Sequence, residues 1–370
     1  MRPWFSLDDM PWTKPSHSRG RVDAAGKILS GRALPSGASD LKNAYEIAAN
    51  WRAAHGYPLY ILVKTLHNRA HQVDREAIVV RRLKRMPAII SKLDRFPKMS
   101  LATMQDIGGC RAVVRTVRMV DKLVSLYKET SPSTFNVVGG SKNYVAEPKP
   151  DGYRSVHLVY QYCGKSQGEA FGGLRIELQL RSRLQHAWAT AVEIVDTITG
   201  QGLKLGRGAD SWRRFFALTG SLTALEEERP PVPNTPTCRN ELAAELRDIS
   251  PLVNFPSVLY ALASGVEGIA SVRDGALFYI LVLDSERMVT HVKGFSAETE
   301  AIEEYGNFEQ QALGKPHIQT VLVSADSVES LRTAYPNYYM DARVFVRFVQ
   351  GMLIGRPQRN GLTEVPILEV

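Results

Sequence analysis

Arg175-Ile-Glu-Leu-Gln-Leu-Arg181 alternates polar and aliphatic residues along its whole length. Successive side chains of a strand point to opposite faces, so a period of two marks a half-buried strand. Ile176, Leu178 and Leu180 share the face that packs, while Arg175, Glu177, Gln179 and Arg181 share the other. That second face sets a carboxylate among cations, which suits either a wet surface or the floor of a cleft that handles phosphate. Directly after it, Arg183 to Thr199 reads as a long helix with Leu184, Trp188, Ala191, Val192 and Val195 on one side. Upstream, Cys110 to Arg115 and Ser155 to Tyr162 read as strands. Earlier still, Ser39 to Arg52 and Leu59 to Arg69 read as helices, and Arg75 to Leu93 as a strongly basic helix with an apolar stripe.

At roughly 150 residues per domain, the 370-residue chain has room for about two domains. Its 44% apolar and 23% charged residues exclude a disordered chain. The longest apolar run, Ala276 to Leu283, is far short of the ~20 residues of a membrane helix. Met1 to Met10 holds two Asp residues and no apolar core, so no secretory leader is expected. Three cysteines, Cys110, Cys163 and Cys238, make no disulfide framework or zinc knuckle. A cytoplasmic protein with no membrane partner is the expectation.

The net charge of +8 conceals an asymmetry. Residues 1–240 carry 36 Lys and Arg against 21 Asp and Glu, whereas 241–370 carry 10 against 17. A basic body suits a polyanionic partner such as nucleotide or nucleic acid, and an acidic tail could compete for it. Between them, Glu228 to Thr237 holds four prolines in ten residues and reads as an extended linker. The expected division is a first domain over 1–230, a Pro-rich linker over 231–240 and a second domain over 241–370. The second reads as strands (Leu277 to Leu283, Val289 to Lys293), a helix (Ala297 to Ala312), a strand (Thr320 to Val323) and short helices near Val328 to Ala334 and Ala342 to Gln350, a smaller α/β module.

Two further motifs stand beside the Glu177 strand. Asp106-Ile-Gly-Gly-Cys-Arg111 puts a carboxylate on a loop, with glycines that permit close backbone approach and an arginine entering a strand. Lys149-Pro-Asp-Gly-Tyr-Arg-Ser-Val-His157 presents Tyr153 from a turn, after which Tyr153, Ser155 and His157 alternate onto one face. A tyrosine so placed can stack on a base, or simply pack the turn. Arg82, Lys84 and Lys92 supply cations from the basic segment, unless that face is merely solvated.

In order and spacing these elements resemble the RelA/SpoT synthetase domain, from about Arg75 to Asp196. The resemblance implies an α/β (α+β) fold, a nucleotidyltransferase-like mixed sheet with flanking helices. It also implies transfer of the β,γ-pyrophosphate of ATP to a ribose 3′-hydroxyl, releasing AMP. Carried over residue by residue, it makes Arg82, Lys84, Lys92, Arg111, Lys142 and His157 contacts to ATP. Asp106 and Glu177 become the catalytic carboxylates and Mg²⁺ ligands, with Glu177 accepting the hydroxyl proton. Tyr153 becomes the platform for the acceptor base, with Gln179 and Arg181 completing the acceptor side. Arg81 stands where the family has glycine. No counterpart of the family's hydrolase metal pair precedes this segment.

The second domain has no cysteine and only His291 and His317, too few ligands for a tetrahedral zinc site. Its Tyr335-Pro-Asn-Tyr-Tyr339 segment falls between two predicted helices, where it either displays aromatics or anchors a turn. The combination resembles CapRel-like fused toxin–antitoxin proteins of phage defence. That resemblance implies a metal-free pseudo-zinc-finger whose Tyr335 and Tyr338 inhibit the ATP site until a phage capsid-type protein binds. It further implies tRNA as acceptor, through its 3′-terminal adenosine. Synthesis of (p)ppGpp or (p)ppApp is the alternative. A non-catalytic nucleic-acid-binding regulator is a third reading, against which Asp106 and Glu177 stand.

Overall fold

The computed structural model describes residues 12–164, 166–253, 267–271, 276–312, 314–315, 317–324, 331, 335–339 and 341–353. Three helices, α1 (Arg19–Leu29), α2 (Ala38–Ala54) and α3 (Gly56–Val73), precede strand β1 (Ile78–Leu83) and helix α4 (Met86–Arg95). The predicted single helix over Arg75 to Leu93 is therefore a strand, a turn and a helix. Ile78, Val79 and Val80 are β-branched and favour the strand. Pro87 in the first turn then starts α4, where a missing N–H costs nothing. Arg82 thus lies on β1, Lys84 in the turn and Lys92 on α4.

Strands β2 (Gly108–Val114), β3 (Phe135–Val137), β4 (Lys142–Asn143), β5 (Val156–Tyr162) and β6 (Arg175–Ser182) follow, with α5 (Val117–Glu129) between β2 and β3. Helix α6 (Arg183–Thr199) begins in a capping box: Ser182 Oγ accepts from the Gln185 N–H, and the Gln185 side chain accepts from the Ser182 N–H. It ends at Gly200 in the left-handed region. Then come α7 (Asp210–Glu226), α8 (Arg239–Ile249), β7 (Glu267–Ser271), β8 (Phe278–Asp284), β9 (Val289–Phe295), α9 (Glu298–Gln311), β10 (Ile318–Ser324) and α10 (Arg343–Leu353). The short helix predicted near Val328 to Ala334 lies, apart from Leu331, outside the described residues. No described helix is long and apolar enough to cross a membrane.

One mixed sheet runs β3-β5-β6-β2-β1-β10-β8-β9-β7, with β4 on β5. The β2–β6 and β7–β9 pairs are parallel and the others antiparallel. The two halves of the chain join where Arg81 pairs with Ser324 and Arg82 with Val323. One core packs α1 to α5 on β2, β5 and β6. A second joins α6 and α7 to α8, α10, Tyr335 and Tyr338. The Pro-rich segment lies against α7: Val232 is buried and donates its N–H to Ser221 Oγ at 2.8 Å.

Candidate active site

The polar face of β6 is as the alternation predicts, with Arg175, Glu177 and Gln179 half-buried and the aliphatic residues buried. Antiparallel pairing sets His157 of β5 opposite Gln179, two residue pairs from Glu177 and on the same face. Glu177 Oε1 lies 2.9 Å from His157 Nδ1, and Gln179 Nε2 donates to Oε2 at 2.7 Å. Burial alone would raise the Glu177 carboxyl, but His157 and Gln179 outweigh it and bring it down to about 2. An ionised carboxylate only accepts, so His157 Nδ1 donates to it, and the Tyr153 hydroxyl lies 2.7 Å from His157 Nε2. Arg181 then donates to the Tyr153 hydroxyl at 2.8 Å and to Gln179 Oε1 at 3.1 Å. Ser155 departs from the predicted face: it is buried, its hydroxyl bonded to the Leu180 carbonyl.

The Tyr153 turn depends on Gly152, at φ +93°. A Cβ there would sit 2.7 Å from the Phe216 carbonyl oxygen and 2.8 Å from the Trp188 ring. Gly152→Ala is therefore expected to lower stability by about 2 kcal/mol or more and to displace Tyr153. Urea denaturation and nucleotide affinity measure both effects; a variant matching the parent in each would refute the tight-turn account. Lys149 Nζ stands over the Tyr153 ring at 5.0 Å and the Tyr144 ring at 4.4 Å, while the two rings meet edge-on at 5.9 Å.

Asp106 precedes β2 and receives two ammonium groups, Lys84 Nζ and Lys92 Nζ, each 2.8 Å from Oδ2. Burial opposes ionisation, yet these cations hold the carboxyl at about 2. Its Oδ1 is buried with no hydrogen-bond partner among the described residues. An orphaned carboxylate oxygen near a second carboxylate fits a hard cation such as Mg²⁺, which takes one or two carboxylates and completes its shell with water and phosphate oxygens. Asp106 and Glu177 would hold it.

Arg82 lies on β1 and Arg111 on β2, the latter beside α6. Arg111 NH1 is 3.1 Å from His186 Nδ1, and burial followed by the neighbouring Arg181 and Arg82 lowers its guanidinium to about 10. Glu193 of α6 balances these cations. Against the penalty of burial, Lys204, Arg82, Arg111 and Arg181 bring its carboxyl to about 2. Tyr335 and Tyr338 are buried rather than displayed, the first just before and the second within a 3₁₀ turn spanning Pro336–Tyr339. The Tyr335 hydroxyl donates to the Arg81 carbonyl at 2.8 Å, and Arg111 and Arg82 act on it electrostatically. Arg85 and Arg82 act likewise on Tyr338. The turn therefore sits on the β1 side.

A cleft of about 1260 Å³ brings together Lys92, Asp106, Lys142, Tyr153, His157 and Glu177, with Gln179 and Arg181 also on its wall. Arg82, Lys84, Arg111, Tyr335 and Tyr338 are not among its lining residues, though Lys84 contacts Asp106 on its wall. Lys142 reaches the cleft because β4 pairs it with His157. Sequence reading missed Tyr144, Glu193 and Lys204, which also line it. Glu193 left one trace, as one of only two acids, with Asp196, in a largely apolar helix.

The described residues thus form a mixed α/β sheet with two ionised carboxylates at a cationic cleft, an arrangement suited to phosphate chemistry. Residues 81–194 match the family described as a region found in RelA / SpoT proteins. The chain is 31% identical over 134 residues to the GTP pyrophosphokinase YjbM of Bacillus subtilis, covering 35% of this chain and 60% of that protein. An uncharacterized protein of Mycobacterium tuberculosis is 26% identical over 129 residues, covering 35% of this chain and 43% of its own. The chain thus spans between about two-fifths and three-fifths of these relatives. Small alarmone synthetase 1 of Bacillus subtilis, bound to its product pppGpp, aligns with TM-score 0.39 and 24% identity over 46% of this chain and 88% of that one.

Proposed function

We propose that the chain is an ATP:3′-hydroxyl pyrophosphokinase. The observation that carries this reading is the pair Asp106 and Glu177, each held ionised at a cleft of cations, within the segment that matches RelA/SpoT proteins. The acceptor 3′-oxygen attacks the β-phosphorus, the bond from that phosphorus to the α,β-bridging oxygen breaks, and AMP leaves with that oxygen. Glu177, oriented by His157 and Gln179, accepts the hydrogen bond of the 3′-hydroxyl and aims its lone pair. The loose transition state of phosphoryl transfer develops little charge on the entering oxygen, so an acidic carboxylate serves here and takes the proton late. Lys84, Lys92, Arg82, Arg111 and Lys142 offset phosphate charge, and His157 extends that set from β5. Tyr153, with Arg181 and Gln179, receives the acceptor base. Asp106 and Glu177 would hold Mg²⁺, which would supply charge neutralisation for the phosphates.

The acceptor we favour is the 3′-terminal adenosine of tRNA, whose modification would block translation in the cytoplasm. The excess of 36 basic over 21 acidic residues in 1–240 supports a polyanionic acceptor over a free nucleotide. Incubation with ATP labelled in its γ-phosphate and GDP, GTP or bulk tRNA decides between them: label in tRNA is expected, and label only in a guanosine nucleotide would establish alarmone synthesis instead. If tRNA is the partner, its binding should weaken about 10³-fold or more between 50 and 200 mM salt, because each phosphate contact releases counterions. A flat response in a filter-binding titration would favour the mononucleotide.

Residues 241–370 form, in this reading, a metal-free antitoxin module joined through 231–240 to the synthetase over 1–230. Tyr335 and Tyr338 hold the Arg81–Arg85 segment from the β1 side, which supports their inhibitory role. A phage capsid-type protein, as in the CapRel-like proteins the chain resembles, would release them by binding the open form more tightly.

A further inference from the structure

The most deeply buried ion pair among the described residues joins the two halves of the chain. Arg52 of α2 donates from NH1 to Glu309 Oε2 of α9 at 2.6 Å, with side chains only 6% and 3% exposed. The second oxygen, Oε1, accepts from the Met86 N–H at 3.0 Å, across 223 residues of sequence. Met86 is the first residue of α4. The leading N–H groups of a helix have no partner within it. α4 has no side-chain cap and no acid in its first turn, and Arg85, at the capping position, offers no acceptor side chain. Its cap is therefore supplied from α9.

What this cap controls lies on both sides of it. Arg82 and Lys84 enter the turn just before Met86, and Lys92 extends from α4 to Asp106. Tyr305, one turn before Glu309, stacks on the Arg52 guanidinium at 5.1 Å. A cavity of about 450 Å³ lined by Tyr45, Pro87, Ile90 and Glu309 adjoins the pair on the Glu309 side. A buried ion pair is tolerated only while both charges are matched, so Arg52 without Glu309 is an uncompensated charge in the interior.

We infer that Glu309 is a positioning residue: docked, it caps α4 and latches the phosphate-binding segment Arg82–Lys92 in the closed arrangement, and opening requires its withdrawal. This rests on the proposed inhibition by the C-terminal module and gives it a second point of control, separate from Tyr335 and Tyr338. The fold thereby makes the docked state and the capped state of α4 one event.

The test uses the full chain, amide hydrogen exchange, and binding of the non-hydrolysable ATP analogue AMPCPP. Glu309→Gln keeps an acceptor but removes the charge. It should raise exchange in both 86–95 and 298–311, and tighten AMPCPP binding, by about tenfold or more. In Arg52→Met/Glu309→Leu, apolar packing replaces the pair. Protection should then return to 298–311, while the uncapped first turn of α4 still exchanges fast. Arg52→Lys, a milder change, should shift all three readouts in the direction of Glu309→Gln and covers a variant that fails to fold. Faster exchange confined to 298–311, or AMPCPP binding unchanged or weakened, overturns the inference. Neither measurement needs turnover, so an inactive protein would defeat the proposed reaction and leave this test standing.

Discussion

Glu177→Ala is expected to lower pyrophosphate transfer by about 10³-fold or more, the scale on which a positioned proton acceptor and its electrostatic contribution act. The substitution leaves the His157 Nδ1–H and the Gln179 amide without their carboxylate acceptor at the floor of the cleft. Nucleotide affinity should fall far less, since most of the cations assigned to phosphate, Lys84, Lys92, Arg82 and Arg111, keep their own contacts elsewhere. Glu177→Gln is the sharper control. It preserves the shape of β6 yet should lose nearly as much, because an amide cannot take the hydroxyl proton. Labelled ATP with the accepting substrate measures both variants. Transfer by either at the parent's rate would remove Glu177 from the chemistry and leave it as a structural partner of His157.

The second large effect concerns Tyr335 and Tyr338. Replacing both with alanine is expected to tighten AMPCPP binding and raise transfer, each by about tenfold or more, without any trigger present. The Tyr335 hydroxyl bonds to the backbone of Arg81, next to Arg82, so its loss releases a tether on the β1 segment that carries Arg82. The variant has a stability cost, because the two rings are 2% and 3% exposed and truncating a buried aromatic costs about 3–5 kcal/mol. Tyr335→Phe separates the two effects. It removes the hydrogen bond while keeping the packing and should activate partially at nearly the parent's melting temperature. Loss of stability with no gain in binding would reduce both tyrosines to core residues.

Much of this site was legible beforehand. The alternation of β6 announced its polar face, and the motif spacing selected Asp106, Tyr153, His157 and Glu177, which the cleft brings together. The error over Arg75 to Leu93 had a local cause. A basic helix and a basic strand followed by a helix share charge and apolar content, and the β-branched run at Ile78 to Val80 was outweighed by the stripe around it. Tyr144, Glu193 and Lys204 escaped because no local pattern marks a side chain whose importance comes from what stands opposite.

The sequence by itself determined the elements whose signals are short-range. These are the period of two in β6, the strand at β5 and the helix that follows β6 directly. Only the tertiary structure decided that β10 extends the sheet from β1, that Glu193 balances the arginines, and that Glu309 caps a helix 223 residues away. The physical reason is that strand edges, unpaired helix N–H groups and buried charges specify that a partner must exist. Which partner it is depends on how distant segments meet, and no window of sequence contains that.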